Sequence, residues 1–268
     1  MNDPNELPGL NDLPGLPDLA PVVAEQRHPL LFATVSGAHL YGFPSRDSDV
    51  DVRGVHVLPL RDVIGLAPGP ETVTRTWDRD GVELDLVTHD LTKFARMLLR
   101  PNGYVLEQLL SPLVAHTTPE HAALVGLAPG LLTRHHARHY RGFSRTQQRM
   151  FDKTGELKPL LNVFRVLLTG LRLLRERDVV AHLPTLIDEP GRRGEAPAYL
   201  RDLVRAKSAA EHGLLDEVAG APTRERIAAD VARLHAALDE AEGATALPAK
   251  PRGAHALDEV VVAVRLGW

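Results

Sequence analysis

Two aspartates on either side of one valine, Asp49 and Asp51, restrict the fold more than any other feature of this sequence. Side chains alternate along a β-strand, so a strand through Val50 places both carboxylates on one face and the valines on the other. Two like charges at that spacing are unfavourable unless a positive group lies between them, and a divalent cation with oxygen ligands is the commonest solution. The sequence therefore predicts a strand that carries two acids into one site.

A third acid follows on a predicted hairpin. Two segments with alternating apolar residues, Thr72–Trp77 and Val82–Thr88, flank an Asp80-Gly81 pair that suits a tight turn. Along the second segment the apolar side chains share one face, and Asp85 emerges on the opposite face. Asp85 is therefore predicted to join the paired acids. Three carboxylates around two magnesium ions are the arrangement that phosphoryl and nucleotidyl transfer uses.

Most of the remaining chain has the pattern of helices. Aromatic residues make up 4% of the 268 residues and hydrophobic residues 44%, so leucine, valine and alanine fill the interior, which favours helix. The predicted helices are Leu91–Leu99, Tyr140–Phe151, Leu157–Arg177, Pro197–Leu215 and Thr223–Ala241. Two further strands are predicted at Leu30–Val35 and Val50–Leu58, with a loop over residues 36–42 between them.

These elements predict an α+β (α/β) protein. A small mixed β-sheet core is expected over residues 22–112, followed by a helical bundle over residues 113–245. Residues 1–21 are rich in proline and are predicted to form a disordered or loosely docked tail. Residues 246–268 are predicted to be a linker and a C-terminal strand or segment, with Glu259–Leu266 as the candidate strand.

Charge and composition restrict the partners and the compartment. The net charge of −4 excludes the global basic field that long non-specific nucleic-acid binding requires, although a short nucleic-acid end remains a suitable ligand. The chain has no cysteine, which excludes disulfides, thiolate metal sites and a cysteine nucleophile. No apolar run approaches the ~18 residues of a membrane span. We expect a cytoplasmic protein with no membrane partner.

A glycine-containing loop precedes the paired acids. It reads Ser36-Gly37-Ala38-His39-Leu40-Tyr41-Gly42 and directly follows a predicted strand, where backbone amides can cradle phosphates. With Ser48-Asp49-Val50-Asp51-Val52-Arg53-Gly54-Val55 and the later Glu83-Leu84-Asp85, the sequence resembles the nucleotidyltransferases of the DNA polymerase β superfamily. More closely, it resembles the branch of RNA-ligase-associated polymerase β proteins. That resemblance also includes Pro101-Asn102, Leu106-Glu107, the segment Tyr140-Arg141-Gly142-Phe143 and the helix that begins at Lys158.

The resemblance implies a metal-dependent catalytic site with a nucleotide beside it. Asp49, Asp51 and Asp85 would be the catalytic and metal-binding residues, holding two Mg²⁺ ions for which Mn²⁺ can substitute. The implied nucleotide-binding residues are Ser36, Gly37, Ala38, His39, Tyr41, Ser48, Lys158 and Arg165. In one departure from the superfamily pattern, the phosphate-binding serine of the loop is Ala38, and a serine stands two positions earlier as Ser36.

Three basic or histidine-rich patterns lie in the helical half. Lys158 and Arg165 belong to a polar stripe on the Leu157–Arg177 helix; a stripe of this kind faces either solvent or a triphosphate. The row Arg141, Arg145 and Arg149 suits either a solvated helix face or contact with an RNA end. The histidines 135, 136 and 139 lack further metal ligands nearby and are predicted to be structural or exposed.

The function predicted from these features is magnesium-dependent transfer of a nucleoside monophosphate from a nucleoside triphosphate, such as ATP, to an acceptor hydroxyl. The association of the resembled branch with RNA ligases favours an RNA end as acceptor. Two alternatives stay open. One is a nucleotidyltransferase that modifies an antibiotic, another small molecule or a protein. The other is a non-catalytic nucleotide-binding module, which the replacement of the loop serine by Ala38 would suit.

Overall fold

A computed structural model describes residues 9, 10, 13, 16–188 and 195–267 of the chain. Most of the predicted proline-rich tail lies outside the described residues, and its last two positions, Ala20 and Pro21, begin the short helix α1 (Ala20–Ala24). The described chain divides into two compact units. The sheet unit consists of the residues up to Gly37, Asp49–Thr133 and the residues from Lys250 on. The helical unit consists of Ala38–Ser48 and Arg134–Ala249.

Five strands form one mixed sheet among the described residues of the sheet unit. They are β1 (Leu30–Val35), β2 (Val50–His56), β3 (Thr72–Arg79), β4 (Val82–Asp90) and β5 (Val114–His116). Their order is β3-β4-β2-β1-β5; β2 and β4 run parallel, and the other neighbours run antiparallel. The predicted α+β class with a small mixed sheet is confirmed.

The hairpin between β3 and β4 forms where the sequence predicts it. Asp80 and Gly81 have φ angles of 56° and 80°, so both central residues of the turn lie in the left-handed region that a two-residue hairpin of this type requires. Arg79 pairs with Val82 directly across this turn. The turn fixes the register of β4, and with it the face on which Asp85 lies.

Helices cover the sheet unit. Apart from α1, they are α3 (Leu60–Ile64), α4 (Leu91–Leu98), α5 (Gly103–Leu109), α6 (Pro119–Leu131) and α12 (Ala254–Gly267). Helix α2 (Gly37–Tyr41) begins at Gly37 of this unit, and its other residues belong to the helical unit. Helix α4 begins as predicted, because the carboxylate of Asp90 accepts a hydrogen bond from the amide of Thr92 at 2.9 Å. The predicted loop over residues 36–42 is instead mostly helical, since α2 spans five of its residues.

The C-terminal strand predicted at Glu259–Leu266 is wrong, because this segment forms α12. Its valines favour a strand locally, but Leu257 and Val264 are both buried, and their separation of seven residues places them on one face of a helix. Helix α12 packs against α6 and α4. Near its end, the guanidinium of Arg265 donates to the carboxylate of Asp90 and, at 2.8 Å, to the carbonyl of Leu58. Tertiary packing overrides the local strand propensity here.

The helical unit is organised around one buried helix. Its helices are α7 (His136–Thr154), α8 (Leu157–Glu176), α9 (Leu183–Asp188), α10 (Leu200–Ala209) and α11 (Arg224–Ala244). Helix α8 packs against α7, α10 and α11 and is buried on almost all sides. Gly170 permits the closest approach to α7, since a Cβ atom there would lie 3.0 Å from the ring of Tyr140. The longest continuous part of this unit is Arg134–Ala249.

Within the part of the chain that the structure describes, no helix is both long enough and apolar enough to cross a membrane.

Candidate active site

Asp51 and Asp85 are direct neighbours in the sheet. They occupy the same register position on the parallel strands β2 and β4, and their flanking residues pair as Val50 with Leu84 and Val52 with Leu86. The flanking residues are buried, whereas both aspartates are partly exposed on the opposite face. The alternation seen in the sequence therefore brings these two carboxylates together.

Arg53 lies between the two carboxylates. One terminal nitrogen of its guanidinium, Nη2, donates to Asp51 Oδ1 and, at 2.9 Å, to Asp85 Oδ2. The other, Nη1, donates to the carbonyls of Val52 at 3.0 Å and of Asp85 at 2.6 Å, and Nε donates to the hydroxyl of Tyr104 at 2.9 Å. The sequence motif contains Arg53, two residues after Asp51, but no role was predicted for it, because a cation was expected only as a bound metal.

The surroundings of Arg53 stabilise its charged form. Its side chain is 10% exposed, and this burial by itself lowers the pKa, but Tyr104, Asp51 and Asp85 together raise the pKa above the usual value of an arginine. Asp85 gains a further partner through its second oxygen, since Oδ1 accepts a hydrogen bond from the hydroxyl of Thr76 at 3.2 Å. The two acids are thus oriented by fixed donors.

The turn after β1 brings backbone against Asp51. Gly37 has a φ of 61°, and a Cβ atom added there would lie 1.8 Å from Asp51 Oδ2. Only glycine permits this close approach. The amide of Ser36 donates to the carbonyl of Asp51 at 2.8 Å, and the Ser36 Oγ is buried without a hydrogen-bond partner in the described structure. A buried hydroxyl of this kind is usually satisfied by a protein, water or ligand group.

The three predicted metal ligands do not converge as one set. Asp49 is half-buried and stands immediately before β2, and only Asp51 and Asp85 share a partner. Among the described residues, no group of three or more His, Cys, Asp or Glu side chains is arranged to hold a metal ion. A cation does fit between Asp51 and Asp85, because the guanidinium of Arg53 is a positive group held there by an oxygen of each acid.

In the helical unit, the predicted nucleotide-binding residues of α2 are buried. Ala38, His39 and Tyr41 are each at most 9% exposed. The guanidinium of Arg165 lies over the ring of Tyr41, 3.6 Å from its centroid, and Arg165 Nε donates to Asn162 Oδ1 at 3.1 Å. Tyr41 and Arg165 are therefore brought together by a cation–π contact inside the unit.

Ser48 and Lys158 meet at Glu211, which sequence reasoning did not single out. Lys158 Nζ donates to Glu211 Oε1 at 3.0 Å, and Ser48 Oγ donates to Oε2 at 2.9 Å. Glu211 Oε2 also accepts hydrogen bonds from Ser45 and from Lys207, whose side chain is fully buried. The four-residue spacing of Lys207 and Glu211 was the available signal for this pair.

The network keeps Glu211 ionised. Burial alone would raise the pKa of Glu211, but hydrogen bonds from Lys207, Ser45, Lys158 and Ser48 outweigh it and lower the pKa to about 2. Ser48 immediately precedes Asp49 in the chain. The cluster of Ser45, Ser48, Lys158, Lys207 and Glu211, which we call the Glu211 cluster, therefore anchors the loop residue that precedes the first acid.

The other polar patterns of the helical unit are occupied by internal contacts. On the α8 stripe, Thr169 is buried and its hydroxyl donates to the carbonyl of Val180 at 2.7 Å, while Arg172 pairs with Asp178 at 2.7 Å. In the arginine row, Arg141 pairs with Glu242 at 2.8 Å. Burial first, and then the neighbouring His136 and Arg165, lower the pKa of His139 to about 4, so this histidine is neutral at pH 7.

The match to a protein family agrees with the sequence motifs. The model of a family described as RlaP, the RNA repair pathway DNA polymerase beta family, matches residues 14–263. An uncharacterized protein of Methanocaldococcus jannaschii, MJ0002, is 29% identical over 150 residues, which cover 54% of this chain and 60% of that protein. A solved nucleotidyltransferase-like protein from Exiguobacterium sibiricum has 13% identity and a TM-score of 0.31, over 84% of this chain and 74% of that one.

The chain belongs to the RNA repair pathway DNA polymerase beta family. The predicted class, a nucleotidyltransferase of the DNA polymerase β superfamily, is thereby confirmed. Proteins of this class act on nucleotides and generally use divalent metals. The chain spans less than two thirds of the length of the Methanocaldococcus protein that it matches.

Proposed function

We propose that this protein is a magnesium-dependent nucleotidyltransferase that transfers a nucleoside monophosphate from a nucleoside triphosphate to an acceptor hydroxyl and releases pyrophosphate. The observation that carries the proposal is the placement of Asp51 and Asp85 at one register position of parallel neighbouring strands. The two carboxylates face away from the core and hold a cationic group between them. Nucleotidyl transfer needs this concentration of negative oxygen ligands.

The reaction is a single displacement in which atoms balance without a covalent enzyme intermediate. The acceptor oxygen forms a bond to the α-phosphorus, and the bond from that phosphorus to the oxygen leading to the β-phosphate breaks. Asp85, held at its second oxygen by Thr76, is positioned to take the proton of the acceptor hydroxyl. Asp51 and Asp85, with Asp49 from the residue before β2, would hold magnesium, which would supply charge neutralisation for the phosphate oxygens.

The turn after β1 is the proposed phosphate cradle. Ser36 and Gly37 stand against the backbone and carboxylate of Asp51, and the buried Ser36 Oγ offers a donor for a phosphate oxygen. Ser36 thereby takes the role of the serine that Ala38 replaces. We also propose nucleotide-binding roles for five further residues: His39, Tyr41, Ser48, Lys158 and Arg165. Of these, Ser48 and Lys158 would act from within the Glu211 cluster.

An RNA end is the proposed acceptor. The support is the family description, which places its members in an RNA repair pathway. The net charge of −4 fits capture of a short end rather than of a long duplex. Within the arginine row, Arg141 already forms ion pairs with Asp239 and Glu242 of the helical unit.

The test is pyrophosphate release from each of the four common nucleoside triphosphates with Mg²⁺ or Mn²⁺, with and without a pool of small RNAs. Asp51→Asn and Asp85→Asn should each lower the rate by at least about 100-fold, since each removes charge from the transition-state site. Glu83→Gln is the matched control, because it removes an exposed acid two residues before Asp85 on the same strand. Release that persists in both aspartate variants would refute the catalytic roles.

The RNA dependence separates the acceptors. Release that requires the RNA pool supports an RNA end, and release that proceeds without it shows that another hydroxyl or water accepts the nucleotide. Nucleotide binding without any release, equal in wild type and aspartate variants, would instead show a non-catalytic nucleotide-binding module.

A further inference from the structure

We propose that Arg53 is an internal counter-cation that competes with the divalent ion for Asp51 and Asp85 and so sets the affinity of the site for metal. This inference rests on the proposed function, because it concerns the same carboxylates. It gives Arg53 a role at the metal site that neither its place in the sequence motif nor the family match assigns.

The first support is that every N–H donor of the Arg53 guanidinium has a hydrogen-bond partner. An arginine side chain has five N–H donors, and the five hydrogen bonds of Arg53 account for all of them. Three of these bonds do not involve a carboxylate, because they reach the hydroxyl of Tyr104 and the carbonyls of Val52 and Asp85. The guanidinium is therefore held in place by strand backbone and by Tyr104, independently of the acids.

The second support is the position of the charge. Arg53 Nη2 contacts one oxygen of Asp51 and one of Asp85, so it stands where a cation shared by the two acids would stand. A magnesium ion requires oxygen ligands at about 2.1 Å, and a guanidinium nitrogen cannot keep its hydrogen bonds to the same two oxygens at that separation from the ion. Metal binding must therefore weaken or break the contacts of Nη2.

The third support is electrostatic. A unit charge beside a divalent ion in a partly buried site is repelled by the ion even at the effective dielectric constant of protein surfaces. The Tyr104 hydroxyl holds Nε in the arrangement in which Nη2 contacts the acids, so losing this bond should weaken those contacts. In the metal-free protein the same guanidinium prevents the repulsion between two aspartates of adjacent strands.

A purely structural role makes a different prediction. If Arg53 only ties β2 to β4, its removal loosens the two acids and metal binding becomes weaker or stays the same. If Arg53 competes with the ion, its removal makes metal binding stronger while the metal-free protein becomes less stable. The sign of the change in metal affinity therefore separates the two roles.

The experiment is an Mn²⁺ titration of the full chain without nucleotide, read as free Mn²⁺ by electron paramagnetic resonance. Arg53→Met should lower the Kd at least about tenfold, which corresponds to roughly 1.4 kcal/mol. Tyr104→Phe removes only the anchor at Nε and should lower the Kd by about two- to threefold, a small share of the same effect. Arg79→Met removes an arginine from the neighbouring strand β3, where it pairs with Glu25, and should leave the Kd unchanged.

A Kd that stays the same or rises in Arg53→Met overturns the inference, provided circular dichroism shows the wild-type fold. If Arg53→Met does not fold, Arg53→Lys and Tyr104→Phe decide the question, because both loosen the contacts to the acids without emptying the position. Unchanged affinity in both also overturns the inference. Mn²⁺ binding by wild type that is lost in Asp51→Asn keeps the proposed function intact whichever way the arginine variants fall. No Mn²⁺ binding by any form overturns this inference together with the metal dependence of the proposed function.

Discussion

Glu211→Gln is the substitution that best tests the physical account of the helical unit. Glutamine keeps the shape of the side chain but removes the charge that four donors surround. Lys207 is then the most affected residue, because its side chain is fully buried and Glu211 is its ion-pair partner at 2.9 Å. A buried charge that loses its partner costs several kcal/mol.

The magnitude follows from the pKa of Glu211, which is lowered from 4.5 to about 2. A shift of that size corresponds to a stability contribution of about 3 kcal/mol at pH 7. Because the folded-state pKa is the lower one, this contribution is present above the unfolded-state pKa and is lost as the pH falls through the folded-state pKa. Between pH 7 and pH 4.5 it should change little, and by pH 3 less than half should remain, roughly 1 kcal/mol.

The assay is urea unfolding followed by circular dichroism at 25 °C, for wild type and Glu211→Gln at pH 7, 5 and 3. The difference in unfolding free energy should be near its full value at pH 7 and 5 and clearly smaller at pH 3. Glu83→Gln, an exposed acid of β4, controls for the general effect of removing a negative charge. A difference below about 1 kcal/mol at pH 7, or one of equal size at all three pH values, would refute the proposed role of the Glu211 cluster.

Three further predictions concern the sheet unit. Asp90→Asn should destabilise the protein by about 3–5 kcal/mol in urea unfolding, because it leaves the buried Arg265 without a counter-charge. The double variant with Arg265→Met should lose less unfolding free energy than the sum of the two single variants. Additive losses would show that the two residues are not coupled. Gly37→Ala should lower nucleotidyl transfer at least about 100-fold, because the new methyl group displaces the Asp51 carboxylate, and unchanged activity would contradict the close approach seen in the structure. If the buried hydroxyl of Ser36 binds a phosphate, Ser36→Ala should raise the KM for the nucleoside triphosphate by about tenfold and lower kcat by less than that. An unchanged KM would show that Ser36 does not bind the phosphate.

The fold was predictable from the sequence wherever local pattern and tertiary packing agree. The hairpin at Asp80-Gly81 and the cap of α4 by Asp90 depend on turn and capping chemistry that acts within a few residues. The valine-rich segment at residues 260–264 was misread for the opposite reason. Its helix is stabilised by packing against α6 and α4, and these helices are distant in sequence.

The candidate site was predictable only in part. The period of a strand was enough to place Asp51 and Asp85 each on the polar face of its own strand. It could not show that they occupy the same register position, since the register between β2 and β4 is a long-range property. The partners of Ser48 and Lys158 were hidden for the same reason. Glu211 lies more than fifty residues from Lys158 in the chain, and nothing in the local pattern of either residue reveals the other.

Arg53 and Glu211 are charges of opposite sign that are each held in place by several hydrogen bonds. Arg53 is a cation whose donors are all taken by oxygens of the sheet unit, and Glu211 is an anion whose oxygens accept from two lysines and two serines of the helical unit. A charge held in this way has a defined position because a partner that leaves without being replaced exposes an unpaired polar group to a poorly hydrated environment. Substitutions that keep the charge but change the geometry are therefore not conservative here. Arg53→Lys cannot reach both aspartates and Tyr104 together, since a lysine ammonium carries its three donors on a single atom. The geometry of the guanidinium, and not its charge alone, keeps the two carboxylates side by side in the absence of a metal.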